Sequence, residues 1–229
     1  MREKQIMRGM DKKRAILIGA GELDSNMAEN IKTKQMADSF IIALDGGFAF
    51  CEEQGIVPDM IVGDFDSLPS TKQKLLERYP QEIIHRLPCE KDDTDTLAAL
   101  RLAVEKGYEQ FVIYGGLGGR ISHTMANIQS LLCLKEKGMS GELIGKSSKV
   151  FLVKNESCIL SKDESGYVSV FAWGGNAKGV TLNNLKYEIS DAELTDSFPI
   201  GVSNEFVGKE AEITVSNGIL LIVVERKEE

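Results

Sequence analysis

The amino-acid sequence predicts two domains of different class, an α/β domain over residues 1–146 and an all-β domain over residues 147–229. In the first part, short apolar runs alternate with longer stretches of helical periodicity. In the second part, β-rich runs follow one another between turn clusters. The first pattern is typical of βαβ units around a parallel sheet, and the second is typical of an antiparallel all-β domain.

Short apolar runs supply the predicted strands of the first domain. These runs are 15–18, 40–44, 60–62, 83–87, 111–114 and 142–144. Two intervening stretches, 94–106 and 123–137, have the length of helices, and the second carries apolar residues at helical spacing. We therefore expect a Rossmann-like domain with a parallel sheet, in which ligands bind outside the carboxyl ends of the strands.

The second domain is predicted from β-rich runs that are separated by turn residues. The runs are 150–153, 158–160, 167–172, 180–182, 213–215 and 219–224. The turn at 216–218 contains Asn217-Gly218, which is a hairpin signal when it lies between two strands. This arrangement favours a sandwich or a barrel.

Composition and charge exclude several classes of protein. The formal net charge is -8 and no block of basic residues is present, so nucleic acid is not an expected partner. The four cysteines are far apart in the sequence and form no C-x-x-C pair, which argues against zinc and redox sites and favours free thiols in the cytosol. The apolar run 15–18 is too short for a signal peptide or a membrane span. We expect a cytoplasmic protein that does not bind a membrane.

Acidic and glycine-rich segments follow four of the predicted strands. They are 45–47, 63–67, 91–95 and 115–120. Taken singly, each has an ordinary structural explanation: a tight turn, a helix cap with acids in the first turn, or close packing of a glycine loop. Because the carboxyl ends of parallel strands lie at one edge of the sheet, the segments together predict a ligand site there.

Asp64 and Asp66 are the strongest part of this site. Two carboxylates at i and i+2 after a strand point the same way when the chain stays extended, and they repel each other unless a cation lies between them. Transfer of a diphosphoryl group needs carboxylates for Mg²⁺, backbone N–H groups for phosphate oxygens and a cation for charge in the transition state. Asp64, Asp66 and Asp95 suit the first role, loop 115–119 the second, and Arg120 the third.

Specific motifs occur along the chain in a recognisable order. They are Asp-Gly-Gly at 45–47, Pro-Asp-x-Ile-x-Gly-Asp-Phe-Asp-Ser at 58–67, Lys-Asp-x-Thr-Asp-Thr at 91–96 and Gly-Gly-Arg-x-x-His-Thr-x-Ala-Asn within 116–127. This series resembles the thiamine pyrophosphokinase family. The likeness continues into the β-rich part at 179–182 and 202–206. The second motif is long and specific, whereas Asp-Gly-Gly alone would not be.

The resemblance implies a reaction and an architecture. The reaction is transfer of the diphosphate group of ATP to the hydroxyl of thiamine, with Mg²⁺, to give thiamine diphosphate and AMP. The implied architecture is a catalytic α/β domain that binds the nucleotide and Mg²⁺, a C-terminal β-sandwich that binds thiamine, and a homodimer with the thiamine site between subunits.

The resemblance also implies roles for individual residues. Catalysis is expected from Asp64, Asp66, Asp95 and Arg120, of which the three aspartates hold the metal. Nucleotide binding is expected from Asp45, Gly46, Lys91, Asp92, Thr94, Gly116, Gly118, Gly119, His123 and Asn127. Thiamine binding is expected from Ser203 and Asn204. The chain departs from the family at Ser122, where relatives commonly have Asp, so that only a hydrogen bond is available there.

Other functions remain open on the sequence. One alternative is a related phosphotransferase that acts on a different small alcohol. Ser203 and Asn204 argue against it, because the resemblance assigns them to thiamine binding. A dinucleotide oxidoreductase is disfavoured because Gly19-Ala20-Gly21 lacks the third glycine of the fingerprint, and no acid suited to ribose follows about twenty residues later. A binding protein without turnover is disfavoured because every carboxylate matched to the metal site is present.

Overall fold

A computed structural model describes residues 13–66, 70–88 and 93–227, and the chain divides into two compact units, Met1–Lys146 and Ser147–Glu229. Lys91 and Asp92, which were expected to bind the nucleotide, lie outside the described residues. Among the residues that the structure does describe, no helix has the length and apolar character needed to cross a membrane.

The described strands of the first unit form a parallel sheet in the order β6-β5-β1-β2-β3-β4. The strands are β1 (Arg14–Ile18), β2 (Phe40–Leu44), β3 (Met60–Gly63), β4 (Ile84–Arg86), β5 (Gln110–Tyr114) and β6 (Ser140–Ile144). Strand β1 pairs with both β2 and β5, so the strand order changes direction between β1 and β5. The predicted parallel sheet is confirmed.

Helices connect these strands. They are α1 (Ser25–Met36), α2 (Gly46–Gln54), the short α3 (Ser70–Gln73), α4 (Asp95–Glu105) and α5 (Ile121–Glu136). Short 3₁₀ turns span Lys74–Arg78 and Gln81–Ile83. Helix α1 begins after Asp24, whose carboxylate accepts a hydrogen bond from the backbone N–H of Met27 at 2.9 Å. The predicted helix 94–106 is confirmed as α4, and the predicted helix 123–137 begins two residues earlier, at Ile121.

The parallel sheet is covered by helices on its two faces. Ile16 of β1 and Ile41 of β2 share a buried cluster with Ile31 of α1 and Phe48 of α2. Helix α4 contacts β1, β2 and β3, and α5 contacts β6. Because successive side chains of a strand point to opposite faces, burial on both faces explains why these strands are nearly continuous apolar runs.

The second unit is an antiparallel β-sandwich. One sheet has the order β12-β9-β14-β7 and the other β11-β10-β13-β8. The strands are β7 (Ser148–Lys154), β8 (Ser157–Leu160), β9 (Tyr167–Ala172), β10 (Ala177–Asn183), β11 (Ile189–Leu194), β12 (Asn204–Glu205), β13 (Ala211–Thr214) and β14 (Ile219–Glu225). Val170, Leu182, Ile213 and Ile222 belong to the single core between the sheets.

The second unit differs from the prediction at two points. Strands β11 and β12 were not predicted, because only Leu194 of β11 is buried and β12 has only two residues. The hairpin expected at Asn217-Gly218 is wrong: β13 pairs with β8 and β10, whereas β14 pairs with β7 and β9. The segment crosses between the sheets, where Asn155 Oδ1 accepts a hydrogen bond from the Gly218 N–H at 2.8 Å.

Candidate functional site

A cavity of about 500 Å³ lies at the carboxyl ends of the central strands of the first unit. It is lined by Gly19, Ala20, Gly21, Leu44, Asp45, Asp64, Asp66, Thr94, Asp95, Thr96, Gly115, Gly116, Gly118, Gly119, Arg120, His123, Ala126 and Asn127. These residues come from the loops after β1, β2, β3 and β5, from the start of α4 and from the first half of α5. The structure therefore brings the four predicted segments together, as far as they are described, and adds a fifth.

The fifth segment, Gly19–Gly21, was missed as part of the site. It follows β1 and packs against the loop after β5, where the backbone N–H of Gly21 donates to the carbonyl of Gly115 at 2.9 Å. A Cβ atom at Gly21 would lie 2.5 Å from that carbonyl oxygen, so a side chain would push the two loops apart. The available signal is a pair of glycines directly after a buried strand, which in the sequence matches only an incomplete dinucleotide motif.

The glycine-rich loop after β5 leads into the amino terminus of α5. The side-chain amide of Asn127 is buried and donates to the carbonyl of Gly116 at 2.7 Å, which ties the loop to the helix. Arg120 and His123 are exposed at the start of the same helix and line the cavity. Backbone N–H groups at the start of a 16-residue helix provide a favourable site for an anion.

Asp45 has an unusual backbone conformation, with φ of 30° and ψ of -106°. Its backbone N–H donates to the carbonyl of Val62 at 2.9 Å, which links the end of β2 to β3. The next helix starts in close contact with β1, because a Cβ atom at Gly47 would lie 1.9 Å from the carbonyl oxygen of Ile18. Sparsely populated backbone conformations persist only where surrounding contacts enforce them, and they are frequent at functional sites.

Three carboxylates meet in this cavity. Asp45, Asp64 and Asp66 each offer an oxygen, and these oxygens all lie within 4.8 Å of one another. Carboxylates this close repel one another unless a cation neutralises them, and carboxylate oxygens are the ligands that Mg²⁺ prefers. The sequence grouped Asp95 with the pair; the oxygens within this distance of one another belong to Asp45, Asp64 and Asp66, and Asp95 lines the same cavity.

The pair Asp64 and Asp66 converges for a different reason from the one expected. The prediction of an extended chain is wrong, because Phe65 between them has φ of 62°. The backbone N–H of Asp66 donates to Asp64 Oδ1 at 3.2 Å, as in a turn closed by an aspartate side chain. The carboxylates therefore converge because the chain turns.

Thr94 and Asp95 lie at the start of α4. The Thr94 hydroxyl accepts a hydrogen bond from the backbone N–H of Leu97 at 3.2 Å and so caps the helix. Asp95 is an acid in the first turn, where it complements the helix dipole. The segment is therefore a helix cap with an acid in the first turn, as its sequence alone suggests. Both residues also line the cavity.

Ser203 and Asn204 lie in the second unit. Asn204 is 5% exposed, and its side chain accepts from the N–H groups of Tyr187 and Glu205, each at 2.9 Å, and donates to the Tyr187 carbonyl at 2.7 Å. Ser203 is exposed, has φ of 58° and donates through its backbone N–H to Ser169 Oγ at 3.1 Å. Asn204 therefore acts within its own unit, whereas the Ser203 hydroxyl faces solvent.

The next residue, Glu205, fixes the same short strand through two ion pairs. Its carboxylate oxygens lie 2.5 Å from Lys186 Nζ and 2.9 Å from Lys227 Nζ. The hydrogen bonds from Lys186 and then Lys227 lower the pKa of Glu205 to about 2. The segment 203–205 is thus held by the backbone N–H of Ser203 and by the side chains of Asn204 and Glu205, while the Ser203 side chain is exposed.

Both units match models of known protein families. The catalytic domain of thiamin pyrophosphokinase matches residues 31–141, and the vitamin B1 binding domain of thiamin pyrophosphokinase matches residues 157–220. The first model spans the three clustered aspartates and the glycine-rich loop, and the second spans Ser203 and Asn204.

Curated relatives and solved structures agree with these matches. Thiamine pyrophosphokinase of Bacillus subtilis is 28% identical over 183 residues, covering 80% of this chain and 85% of that protein. Thiamin pyrophosphokinase 1 of Caenorhabditis elegans is 32% identical over 211 residues, covering 87% of this chain and 83% of that protein.

Among solved structures, the Bacillus subtilis enzyme superimposes with a TM-score of 0.84 at 25% identity, covering 93% of this chain and all 100% of that chain. Yeast thiamin pyrophosphokinase shares the fold, with a TM-score of 0.78 at 15% identity, over 97% of this chain and 89% of that chain. The fold, the family models and the curated relatives lead to one conclusion: this chain belongs to the thiamin pyrophosphokinase family.

Proposed function

We infer that this protein is a thiamine diphosphokinase, which transfers the diphosphate group of ATP to the hydroxyl of thiamine and yields thiamine diphosphate and AMP. Diphosphate transfer from ATP is the reaction of the family to which the chain belongs. The observation that carries the inference is the meeting of three carboxylates, a glycine-rich loop and a helix amino terminus in one cavity.

We propose that this cavity binds the nucleotide. Its volume of about 500 Å³ falls within the range of about 300–1,000 Å³ that is usual for small-molecule sites. The strand order changes direction between β1 and β5, as in Rossmann-like folds, and ligands bind at such points. In this proposal Asp45 and Thr94, which line the cavity, border the nucleotide. Gly46 follows Asp45 but is not part of the cavity lining, and Lys91 and Asp92 belong to the segment outside the described residues.

The donor set of the cavity fits Mg²⁺, because all three clustered ligands are carboxylates. We propose that Asp64 and Asp66 hold the ion, with Asp45 or Asp95 completing the carboxylate set. A bound Mg²⁺ would neutralise charge on the transferred phosphates.

The remaining cavity residues suit the phosphate groups themselves. We propose that backbone N–H groups of Gly116, Gly118 and Gly119, which line the cavity, and those of the first turn of α5 bind phosphate oxygens. Arg120 offers a forked set of donors for charge that develops during transfer, and His123 offers a further donor. Asn127 acts through the loop that it ties to the helix.

We propose a homodimer in which the thiamine site lies between subunits and includes Ser203 and Asn204. Support comes from the apolar residues before Ser203: Phe198 is 65% exposed, Ile200 66% and Val202 48%. Adjacent exposed apolar side chains mark surfaces that are buried on association or ligand binding. We propose a cytoplasmic location, with support from Cys51 and Cys133, which form no disulfide among the described residues.

The test is incubation of the protein with ATP, Mg²⁺ and thiamine, followed by chromatography of the nucleotides and thiamine phosphates. The expected result is equal amounts of AMP and thiamine diphosphate. Formation of ADP with thiamine monophosphate would show transfer of a single phosphoryl group instead. Turnover with a different small alcohol, and none with thiamine, would favour the related phosphotransferase.

A further inference from the structure

The turn that carries Asp64 and Asp66 is centred on a residue in an unfavourable conformation. Phe65 has φ of 62°, in the left-handed region that bulky side chains rarely adopt. Its ring is 2% exposed and belongs to the core of the first unit. Arg86 of the adjacent strand β4 lies over this ring, with its guanidinium carbon 5.2 Å from the ring centre. These contacts fix the side chain of Phe65 but leave the orientation of the following peptide group to other contacts.

The peptide group between Phe65 and Asp66 is held at both ends by side chains. Its N–H donates to Asp64 Oδ1 at 3.2 Å. Its carbonyl oxygen accepts a hydrogen bond from Nε2 of Gln73, at the end of α3, at 3.0 Å. A rotation of this one peptide would break both bonds and would move Asp64 and Asp66 relative to each other. Hydrogen bonds at the two ends of a peptide group also strengthen each other by polarisation.

We propose that Gln73 is a positioning residue that keeps the carboxylates of Asp64 and Asp66 in the geometry needed to bind a divalent cation. The inference rests on the proposed function, since it takes this pair as metal ligands. Gln73 itself does not line the cavity. Its amide is neutral, so it orients the peptide without adding a positive charge that would compete with the cation. Partners that orient metal ligands commonly influence metal affinity about 10- to 100-fold.

The test compares two Gln→Met substitutions that remove the same kind of hydrogen bond. Gln73→Met keeps the length of the side chain but cannot donate to the Phe65 carbonyl. Gln35→Met is the matched control, because Gln35 Nε2 donates to the backbone carbonyl of Val57 at 2.6 Å, outside the cavity lining. Binding of Mn²⁺ alone is measured by the loss of the free-ion EPR signal, and Asp66→Asn identifies the binding at this site.

We expect Gln73→Met to weaken Mn²⁺ binding about 10-fold, with Gln35→Met equal to wild type and both variants folded by circular dichroism. In turnover, Gln73→Met should need more Mg²⁺ for half-maximal rate while the KM for thiamine stays unchanged. Equal Mn²⁺ affinity of Gln73→Met and wild type, or equal losses in the two Gln→Met variants, would overturn the inference. Failure of Asp66→Asn to alter Mn²⁺ binding would instead overturn the proposed metal site, and the inference with it.

Discussion

Two segments within the family motifs, 64–66 in the first unit and 203–205 in the second, use their polar side chains in opposite ways. In the first unit, Asp45, Asp64 and Asp66 direct carboxylates into a shared cavity. In the second unit, the buried Asn204 makes three hydrogen bonds to backbone groups of its own surroundings. A motif residue can therefore belong to a site either by facing the ligand or by shaping the chain that faces it.

The backbone conformations of the two segments are alike despite this difference. Phe65 and Ser203 both have positive φ, at 62° and 58°. Phe65 lies between the motif residues Asp64 and Asp66, and Ser203 directly precedes the motif residue Asn204. Such conformations cost energy and persist because neighbouring contacts enforce them. We infer that the first segment supplies charge for catalysis, whereas the second supplies a surface shaped by the buried Asn204, with Ser203 exposed beside it. Variants of the two segments should consequently fail in different ways.

The largest effect is expected from the metal ligands. Asp64→Asn and Asp66→Asn should each lower kcat by about 100-fold or more, because a neutral amide is a weaker ligand for Mg²⁺ and the loss of a ligand exceeds the effect of an outer partner. Steady-state kinetics over a range of Mg²⁺ concentrations measures this, with circular dichroism to show that the fold is intact. Near-normal rates at limiting Mg²⁺ in both variants would remove these residues from the metal site.

A smaller effect is expected from Arg120. Arg120→Lys keeps the charge but loses the forked geometry that contacts two phosphate oxygens, so kcat should fall about 10-fold while the KM for thiamine changes less. Initial rates at saturating ATP and varied thiamine separate the two parameters. An unchanged kcat would assign Arg120 a structural role at the start of α5.

A test of the proposed dimer by mixing two inactive variants should give an activity about fourfold below that of wild type. The partner subunit carries Ser203→Arg, in which a long cationic side chain blocks the proposed site of cationic thiamine while Asn204 is kept. When Asp66→Asn subunits are co-expressed with Ser203→Arg subunits, random pairing makes half of the dimers mixed, and each mixed dimer keeps one intact site of two. Activity should then recover to about a quarter of wild type. Two different affinity tags isolate the mixed dimers, and inactivity of these purified dimers would place each complete site within one chain.

The smallest effect on catalysis is expected in the second segment. Substitution of Asn204 should affect the stability of the fold, whereas substitution of Ser203 should affect thiamine binding. Asn204→Ala should lower the free energy of unfolding by about 2–3 kcal/mol, because buried backbone groups lose their partners. Ser203→Ala should leave stability unchanged and raise the KM for thiamine about threefold, since one hydrogen bond of about 0.7 kcal/mol is lost. Urea unfolding measures the stability of both variants, and initial rates at varied thiamine measure the KM. A stability loss in Ser203→Ala as large as that in Asn204→Ala would contradict the different roles assigned to the two residues.

Local sequence patterns predicted most of the fold. The strands at 40–44 and 167–172 have the predicted bounds, and Thr94 caps the predicted helix. Strand β11 could not be predicted, because of its six residues only Leu194 is buried, so alternation of apolar residues is weak. The supposed hairpin at Asn217-Gly218 failed because each flanking strand finds partners distant in sequence.

Most members of the candidate site were predictable, whereas Gly19–Gly21 and the geometry of the site were not. Loops at the carboxyl ends of parallel strands must converge, which the strand pattern already implies. The left-handed conformation of Phe65 depends on contacts with Gln73, Arg86 and the core, so nothing in its local sequence indicates it. The role of Asn204 depends in the same way on Tyr187, which is distant in sequence.

The central claim is that an intact diphosphate group moves from ATP to thiamine in the cavity of the first unit. Parallel reactions with ATP labelled with ³²P at the α or the γ phosphorus, in the presence of Mg²⁺ and thiamine, test it directly. We expect the γ label in thiamine diphosphate and the α label in AMP, with both products formed about 100-fold more slowly, or slower still, by Asp66→Asn. Recovery of the γ label in thiamine monophosphate or inorganic phosphate, with the α label in ADP, would contradict the account.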